Sequence, residues 1–359
     1  MAEWDEQLVD ERIEQRRRRR PRFTDDRITL AHGAGGKATR ALVEGLIVPR
    51  LSNDWVAALD DAAVLGELEG RVSFTTDTFV VTPIRFPGGS IGELAVNGTV
   101  NDLAVSGARP VALSLGLVLE EGLTRDELEQ EIDAIAGAVE AAKVRVACGD
   151  TKVVERTKAD RLYVNTSGIG IVDERADLGS HRIVPGDQVI VSGTIGDHGI
   201  AVMLARGELE LAADVLSDTR PLWPVAEALL TSCGPGLRCM RDATRGGVAT
   251  VANELVMTQD VGIIIEETAL PVLPAVNGAC ELLGLDPLYV ANEGKLVAIV
   301  GPDVALEAVA ALRATEAGRD AAVIGEVVDE PAGRVLGRTA FGGHRMIDLL
   351  VGDPLPRIC

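Results

Sequence analysis

Aromatic side chains are scarce in this 359-residue chain: three Trp, two Tyr and five Phe, 3% in all. Its cores must therefore be built from Ala, Val, Leu and Ile, which a 47% hydrophobic content supplies. Cysteine is sparse and odd in number. Cys148, Cys233, Cys239, Cys280 and Cys359 contain no CxxC pair, and no histidine lies near Cys233 and Cys239. That pattern does not suit a zinc site and fits reduced thiols in a cytoplasmic protein. No apolar run approaches the roughly 18 to 20 residues that cross a bilayer, and the polar N-terminus has no secretory pattern. A basic balance is absent too: 35 Lys and Arg stand against 55 Asp and Glu, a net −20. Such a charge argues against nucleic acid and against an anionic membrane as partners. It does not argue against ATP, because carboxylates can hold Mg²⁺ against phosphates.

The length favours two domains, since single cores stop growing at about 250 to 300 residues. Residues 1–27 are charge-rich, include the run Arg16 to Arg20, and have too little apolar content to order themselves. Ordered structure is expected from Ile28. Strand patterns at 72–77, 111–120, 144–154 and 162–172 alternate with helical spacing at 37–51, 92–106 and 125–142, where Thr124 is a candidate N-cap. This predicts a first domain over 28–173 with a mixed α/β (α+β) fold. After the turn-rich join His181 to Asp187, strands at 188–192, 263–266, 295–300, 323–328 and 335–338 and helices at 199–206, 225–232, 247–257 and 304–313 predict an α/β domain over 185–345. Residues 346–359 are expected to form an exposed, extended tail. Its last eight residues hold two prolines and span about 20 Å when stretched at roughly 3.3 Å per residue.

The chemistry-bearing signal is a series of acidic turn motifs. DDAAV holds Asp60 and Asp61, TTDT holds Asp77, and GTVNDLAVSGA holds Asn101 and Asp102. CGDTKVV holds Asp150 and Lys152, and MRDATRGG holds Asp242 and Arg245. One such aspartate is usually a cap or a turn residue. Five such motifs in one chain suit a Mg–ATP site, since Mg²⁺ takes one or two carboxylates plus phosphate oxygens. HGAGGK, with Lys37 opening a helix, is not a Walker A loop: Ala31 replaces its first Gly and Ala38 its Ser or Thr. Its backbone can still meet a phosphate. NEGK sets Glu293 before an apolar strand, a place for a general base or a plain loop acid. In GDHG, Asp197 reads as an N-cap and His198 as a structural or surface histidine. Cys359, the last residue, has no evident packing role.

The segments HGAGGK, DDAAV, TTDTFVVTP, FPGGSIGELAVNGTVNDLAVSGA, CGDTKVV, GTIGDHG, MRDATRGGV and NEGK, with the ending PRIC, resemble the HypE family of nickel–iron hydrogenase maturation. The resemblance spans about Ile28 to Cys359, and the arginine-rich arm departs from it. A wider group shares the aspartate motifs: aminoimidazole ribonucleotide synthetase, selenophosphate synthetase and thiamine monophosphate kinase. The terminal PRIC is the specific element. The resemblance implies a two-domain aminoimidazole ribonucleotide synthetase-like fold whose first sheet pairs with a twin in a homodimer, and it assigns ATP binding and dimerisation to the domain over 28–173. It implies a carbamoyltransferase, HypF, that loads Cys359. ATP-dependent dehydration to a thiocyanate follows, and the cyanide passes to iron on a HypC–HypD complex. On this reading Cys359, Glu293 and Lys152 are catalytic. Lys37, Asp61, Asp77, Asn101, Asp102, Asp150, Asp242 and Arg245 meet the nucleotide, and Asp60, Asp61, Asp77, Asp102, Asp150 and Asp242 hold Mg²⁺. The alternatives are a small-molecule enzyme of the same group, such as a selenophosphate synthetase, and a nucleotide-binding scaffold.

Overall fold

The structure, a computed structural model, describes residues 22–59, 62–207, 214–350 and 357–358. Two sheets organise it. The first contains β1 (Val72–Phe79), β2 (Ala108–Glu120), β3 (Arg145–Val154) and β4 (Leu162–Val172) in the order β1-β4-β2-β3. Only β2 and β3 run parallel. One face is covered by α1 (Ile91–Val105) and α2 (Arg125–Ala142). The start of α2 follows from its sequence: Thr124 Oγ1 accepts from the Glu127 amide at 3.2 Å, and the Glu127 carboxylate accepts from the Thr124 amide at 3.0 Å. This reciprocal capping satisfies two donors that the first turn leaves open. Leu128, Ile132 and Ile135 recur at helical spacing and are buried, each contributing roughly 1.5–3 kcal/mol. Glu131 shares their face because Arg85 and the Gly92 amide satisfy its carboxylate, at 2.8 and 3.0 Å.

The second sheet has seven strands: β5 (Gln188–Val191), β6 (Leu237–Asp242), β7 (Gly262–Glu266), β8 (Leu296–Val300), β9 (Ala322–Val328), β10 (Val335–Arg338) and β11 (His344–Ile347). Their order is β11-β10-β7-β9-β5-β8-β6. β8, flanked by β5 and β6, is buried throughout, as a continuous apolar run covered on both faces should be. Val297 and Ile299 enter one core, with α5 (Gly247–Val256); Leu296, Ala298 and Val300 enter the other, with α4 (Trp223–Cys233) and α7 (Ala305–Arg313). Two further helices, α3 (Asp197–Ala205) and α6 (Pro274–Leu283), contribute to a fourth cluster with Val290 and Ala291.

The C-terminal segment departs from the expected exposed tail. Met346 and Ile347 lie in β11, with Ile347 buried, and Ile358 is buried in the cluster formed by α3 and α6. Residues 1–21, 60–61, 208–213, 351–356 and 359 lie outside the described residues. Among the described residues, no helix is long and apolar enough to cross a membrane.

Candidate active site

The site is built on the seam between the two sheets. The C-terminal end of α1, with Ala104 and Val105, packs into the same core as Ile190, Leu222 and Val225 of the second unit. One turn back, Asn101 is buried and fully bonded. Its Nδ2 donates to the carbonyls of Arg220, at 3.0 Å, and Glu293, at 3.1 Å, and its Oδ1 accepts from the Leu222 amide at 2.7 Å. An amide has two N–H groups and one oxygen, and here all are committed to backbone. Asn101 is therefore a strut across the seam, and the phosphate contact expected of it is not available.

Next to this strut lies a buried ionic network. Lys295 Nζ donates to Asp218 at 2.9 Å and stands 3.8 Å from Asp197. The other oxygen of Asp218 accepts from the Glu293 amide at 3.0 Å. Gly294 fits here because a Cβ would stand 1.9 Å from the Asp218 carbonyl oxygen. Burial pushes the Asp218 carboxyl up, but Lys295 and its hydrogen bonds outweigh this and hold it below the ordinary range. Burial raises Asp197, despite a 2.5 Å bond from the Thr194 hydroxyl. Glu293 is raised well above the ordinary carboxylate range, by burial and then by the charges of Asp218, Asp242 and Asp77. One oxygen each of Glu293 and Asp197 is buried without a hydrogen-bond partner. A polar atom in that state costs free energy unless something meets it.

A second acidic group opens onto a cleft of about 440 Å³ lined by Thr75, Asp102, Ser106, Arg241 and Asp242, among others. Asp102 lies in the last turn of α1 and accepts from the Thr75 hydroxyl at 2.7 Å. Asp77 projects from β1 on the α1 side of the sheet. Burial raises Asp77 and Asp102; Asp102 adds to the rise at Asp77, whereas Arg245 lowers both. Asp242, at the end of β6, is pushed up to about 7 by burial and then by Asp102. Acids that raise one another in this way, beside two arginines, suit a hard cation and phosphate oxygens. Among the described residues no three His, Cys, Asp or Glu side chains are gathered to hold a metal alone. Mg²⁺ fits such a set, because it completes its shell with water and phosphate.

The structure thus brings together Asp77, Asp102, Asp242, Arg245 and Glu293. It does not bring Asp150 and Lys152 to them. In the ladder, Asp150 pairs with Gly116, which pairs with Asn165, which pairs with Thr78. Side chains along a strand alternate between faces, so that row points away from α1, whereas Asp77 and its partner Thr166 point toward it. Asp150 and Lys152 are exposed there and bond each other at 3.0 Å. Asp150 also borders a groove of about 220 Å³ with Thr39, Trp55 and Cys148. Lys37 is exposed at the start of a six-residue helix after the glycine loop, which packs through Gly33 against Val153. Asp60, Asp61 and Cys359 lie outside the described residues.

Lys295, Asp218 and Ser217 were not singled out by sequence, and His198 was read as structural or superficial. His198 is fully buried, with Ser217 on one ring nitrogen at 2.9 Å and the Ile358 carbonyl on the other at 3.0 Å. The N-cap of α3 is Gly196, at φ 85°, and Asp197 is the first helical residue. Lys295 was visible in NEGK as a lysine entering an apolar strand, a position that demands a buried anion.

The chain matches the AIR synthase related N-terminal domain over residues 59–172 and the AIR synthase related C-terminal domain over 184–338. These define its class, a two-domain protein of AIR synthase type. A carbamoyl dehydratase HypE from Rhodobacter capsulatus is 49% identical over 340 residues, covering 93% of this chain and 99% of the relative. A crystal structure of hydrogenase maturation protein HypE in complex with ATP superposes with a TM-score of 0.88 at 43% identity, covering 92% of this chain and 99% of that one. A chain from a HypE–HypF complex gives 0.75 at 44% identity, over 86% and 99% of the two chains. The chain belongs to the HypE family.

Proposed function

We propose that this chain is the ATP-dependent carbamoyl dehydratase of a hydrogenase maturation system, acting on an S-carbamoyl group carried by its own Cys359. The carbamoyl oxygen attacks the γ-phosphorus of ATP and ADP leaves. The C–O bond then breaks, the oxygen departs with phosphate, and the nitrogen gives up both protons, leaving an S-bound nitrile. Phosphoryl transfer of this kind needs positioning and charge neutralisation more than covalent help. Asp77, Asp102 and Asp242 would hold Mg²⁺, which when bound neutralises phosphate charge. Arg241 lines the same cleft, and Arg245 lies near enough for its charge to lower both Asp77 and Asp102. Glu293, whose proton affinity is raised by burial and by three neighbouring acids, is suited to take a proton from the amide nitrogen.

The observation that carries this reading is a pair of adjacent residues. Ser217 bonds His198, which holds the carbonyl of Ile358, one residue before Cys359. Asp218 bonds the Glu293 amide and Lys295. The end of the chain and the proposed base thus share one loop. The other described thiols suit the reaction less well: Cys233, Cys239 and Cys280 are buried, Cys239 pushed up to about 12 and Cys280 to about 11, and Cys148 lies on the far face of the first sheet.

The proposal includes a homodimer in which Asp150 and Lys152 reach the cleft from a second copy, a cytoplasmic setting, HypF as the carbamoyl donor and a HypC–HypD complex as the cyanide acceptor. The HypE–HypF complex among the similar structures supports the donor. Intact mass spectrometry after incubation with the transferase, carbamoyl phosphate and ATP tests the route. The terminal peptide should gain a carbamoyl group and then lose the mass of one water. A chain lacking Cys359 that still yields a nitrile would sink it.

A further inference from the structure

The ring of His198 is oriented from both sides. A carbonyl oxygen only accepts, so the Nε2 facing Ile358 must carry the proton; Nδ1 then accepts from the Ser217 hydroxyl. Ser217 in turn accepts from the Thr219 amide at 3.2 Å, and Phe86 packs edge-on against the ring with centroids 5.4 Å apart. At the other end of α3, Arg206 Nη2 donates to the Arg357 carbonyl at 2.8 Å, while its Nε donates to the Thr82 carbonyl at 2.9 Å. The Thr82 amide also donates to the Arg357 carbonyl, at 3.3 Å. Two consecutive carbonyls are therefore gripped from the two ends of one helix.

The side chains are engaged as well. Ile358 is enclosed with Ile200, Val215, Val276, Cys280 and Val290, and the Arg357 guanidinium pairs with Asp160 at 2.7 Å. Arg357 has φ 57°, the left-handed region that a non-glycine residue occupies only when its surroundings impose it. None of these contacts involves the residue that follows.

We propose that His198, oriented by Ser217, and Arg206 are positioning residues that form a register for the chain's own C-terminus, fixing the backbone at Arg357 and Ile358 so that residue 359 is presented at one defined point. The assignment rests on the reading that Cys359 carries the carbamoyl group. Because the register reads backbone carbonyls and the Ile358 side chain, it accepts the tail alike with thiol, carbamoyl thioester or thiocyanate at its end. Bound group and dock are independent, which lets one site hold the tail before and after dehydration.

Trypsin provides a docking readout separate from turnover, since it cleaves after Arg357 only when that backbone leaves the dock. Full-length protein is digested and loss of the Ile-Cys dipeptide followed by mass spectrometry. His198→Phe keeps the ring and removes the donor, and should release the dipeptide at least tenfold faster. His198→Gln, whose amide N–H can reach the same carbonyl, should restore much of the protection. Ser217→Ala, which leaves the ring unoriented, should fall between them and serves where His198→Phe does not fold. Single-turnover dehydration of the pre-loaded tail should slow in the same order, with the ATP dependence unchanged. Wild-type release from folded His198→Phe, or equal release from His198→Phe and His198→Gln, overturns the register. If Cys359 is not the acceptor, the dipeptide assay still ranks the variants while none of them alters dehydration, so the two failures are distinct.

Discussion

Asn101, on the helix that covers the first sheet, closes on the main-chain carbonyl of Glu293 in the second unit at 3.1 Å, and spends its remaining capacity on Arg220 and Leu222. The segment carrying the proposed base is thus hung from the first sheet's helix. Asn101→Ala would leave two buried carbonyls and one amide without partners. The expected cost is about 2–4 kcal/mol, measured as a lower urea midpoint with an unchanged slope. A variant as stable as the parent would show that the seam does not depend on this side chain.

Lys295 is the cation to which the buried Asp218 is bonded, at 2.9 Å. Lys295→Met strands that carboxylate in a site closed to water, at an expected cost of about 3–5 kcal/mol. Neutralising the acid as well, in Lys295→Met/Asp218→Asn, should recover part of the loss, because the Asn oxygen can still accept from the Glu293 amide. A double variant that is less stable than Lys295→Met alone would contradict the pairing.

Asp242 gives a pH prediction whose sign is fixed. Its carboxyl is pushed from 3.8 to about 7 in the fold, so between these values the folded chain binds more protons than the unfolded one. Stability contributed by this group is complete below about pH 4 and is lost as pH rises to 7. Asp242→Asn escapes that loss. Its advantage should be absent at pH 4, grow through the window and level off at about 1–3 kcal/mol above pH 7, less than the full shift because the side chain is partly exposed. Thermal unfolding across pH measures it, and a constant difference at all pH values would exclude Asp242 as the titrating group.

The local signals that made these residues legible were of unequal reach. Helical spacing and the Thr124 cap delimit α2, and apolar alternation delimits β4, because each records a face buried by the element itself. The short strand Leu237–Asp242 and the closing strand His344–Ile347 hold too few residues for a periodicity of their own and take their shape from neighbours. The aspartate motifs announced a polyanion site. They could not tell which face of a strand each acid occupies relative to the others, and that separates Asp77 from Asp150. His198 was opaque for a different reason: its partner, Ile358, lies 160 positions away, and nothing local to GDHG signals a contact with the chain end.

The opposed faces of Asp102 and Asp150 yield a last expectation. One chain cannot bring both to the same phosphate, since Asp150 sits with Asn165 and Thr78 on the side of the sheet away from α1. If both serve the reaction, Asp150 must reach the cleft from a second copy. Asp102→Asn and Asp150→Asn chains should then each be inactive alone and regain activity on mixing. In a two-fold dimer, random exchange places one intact site in half of the molecules, so an equal mixture should recover about a quarter of the parental rate. The mixture is assayed for ATP-dependent nitrile formation after subunits have been allowed to exchange. Recovery that tracks the heterodimer fraction on titrating one variant into the other supports a shared site. A mixture as inactive as its components, with exchange verified by mass spectrometry of differently tagged chains, would exclude a site shared between two copies.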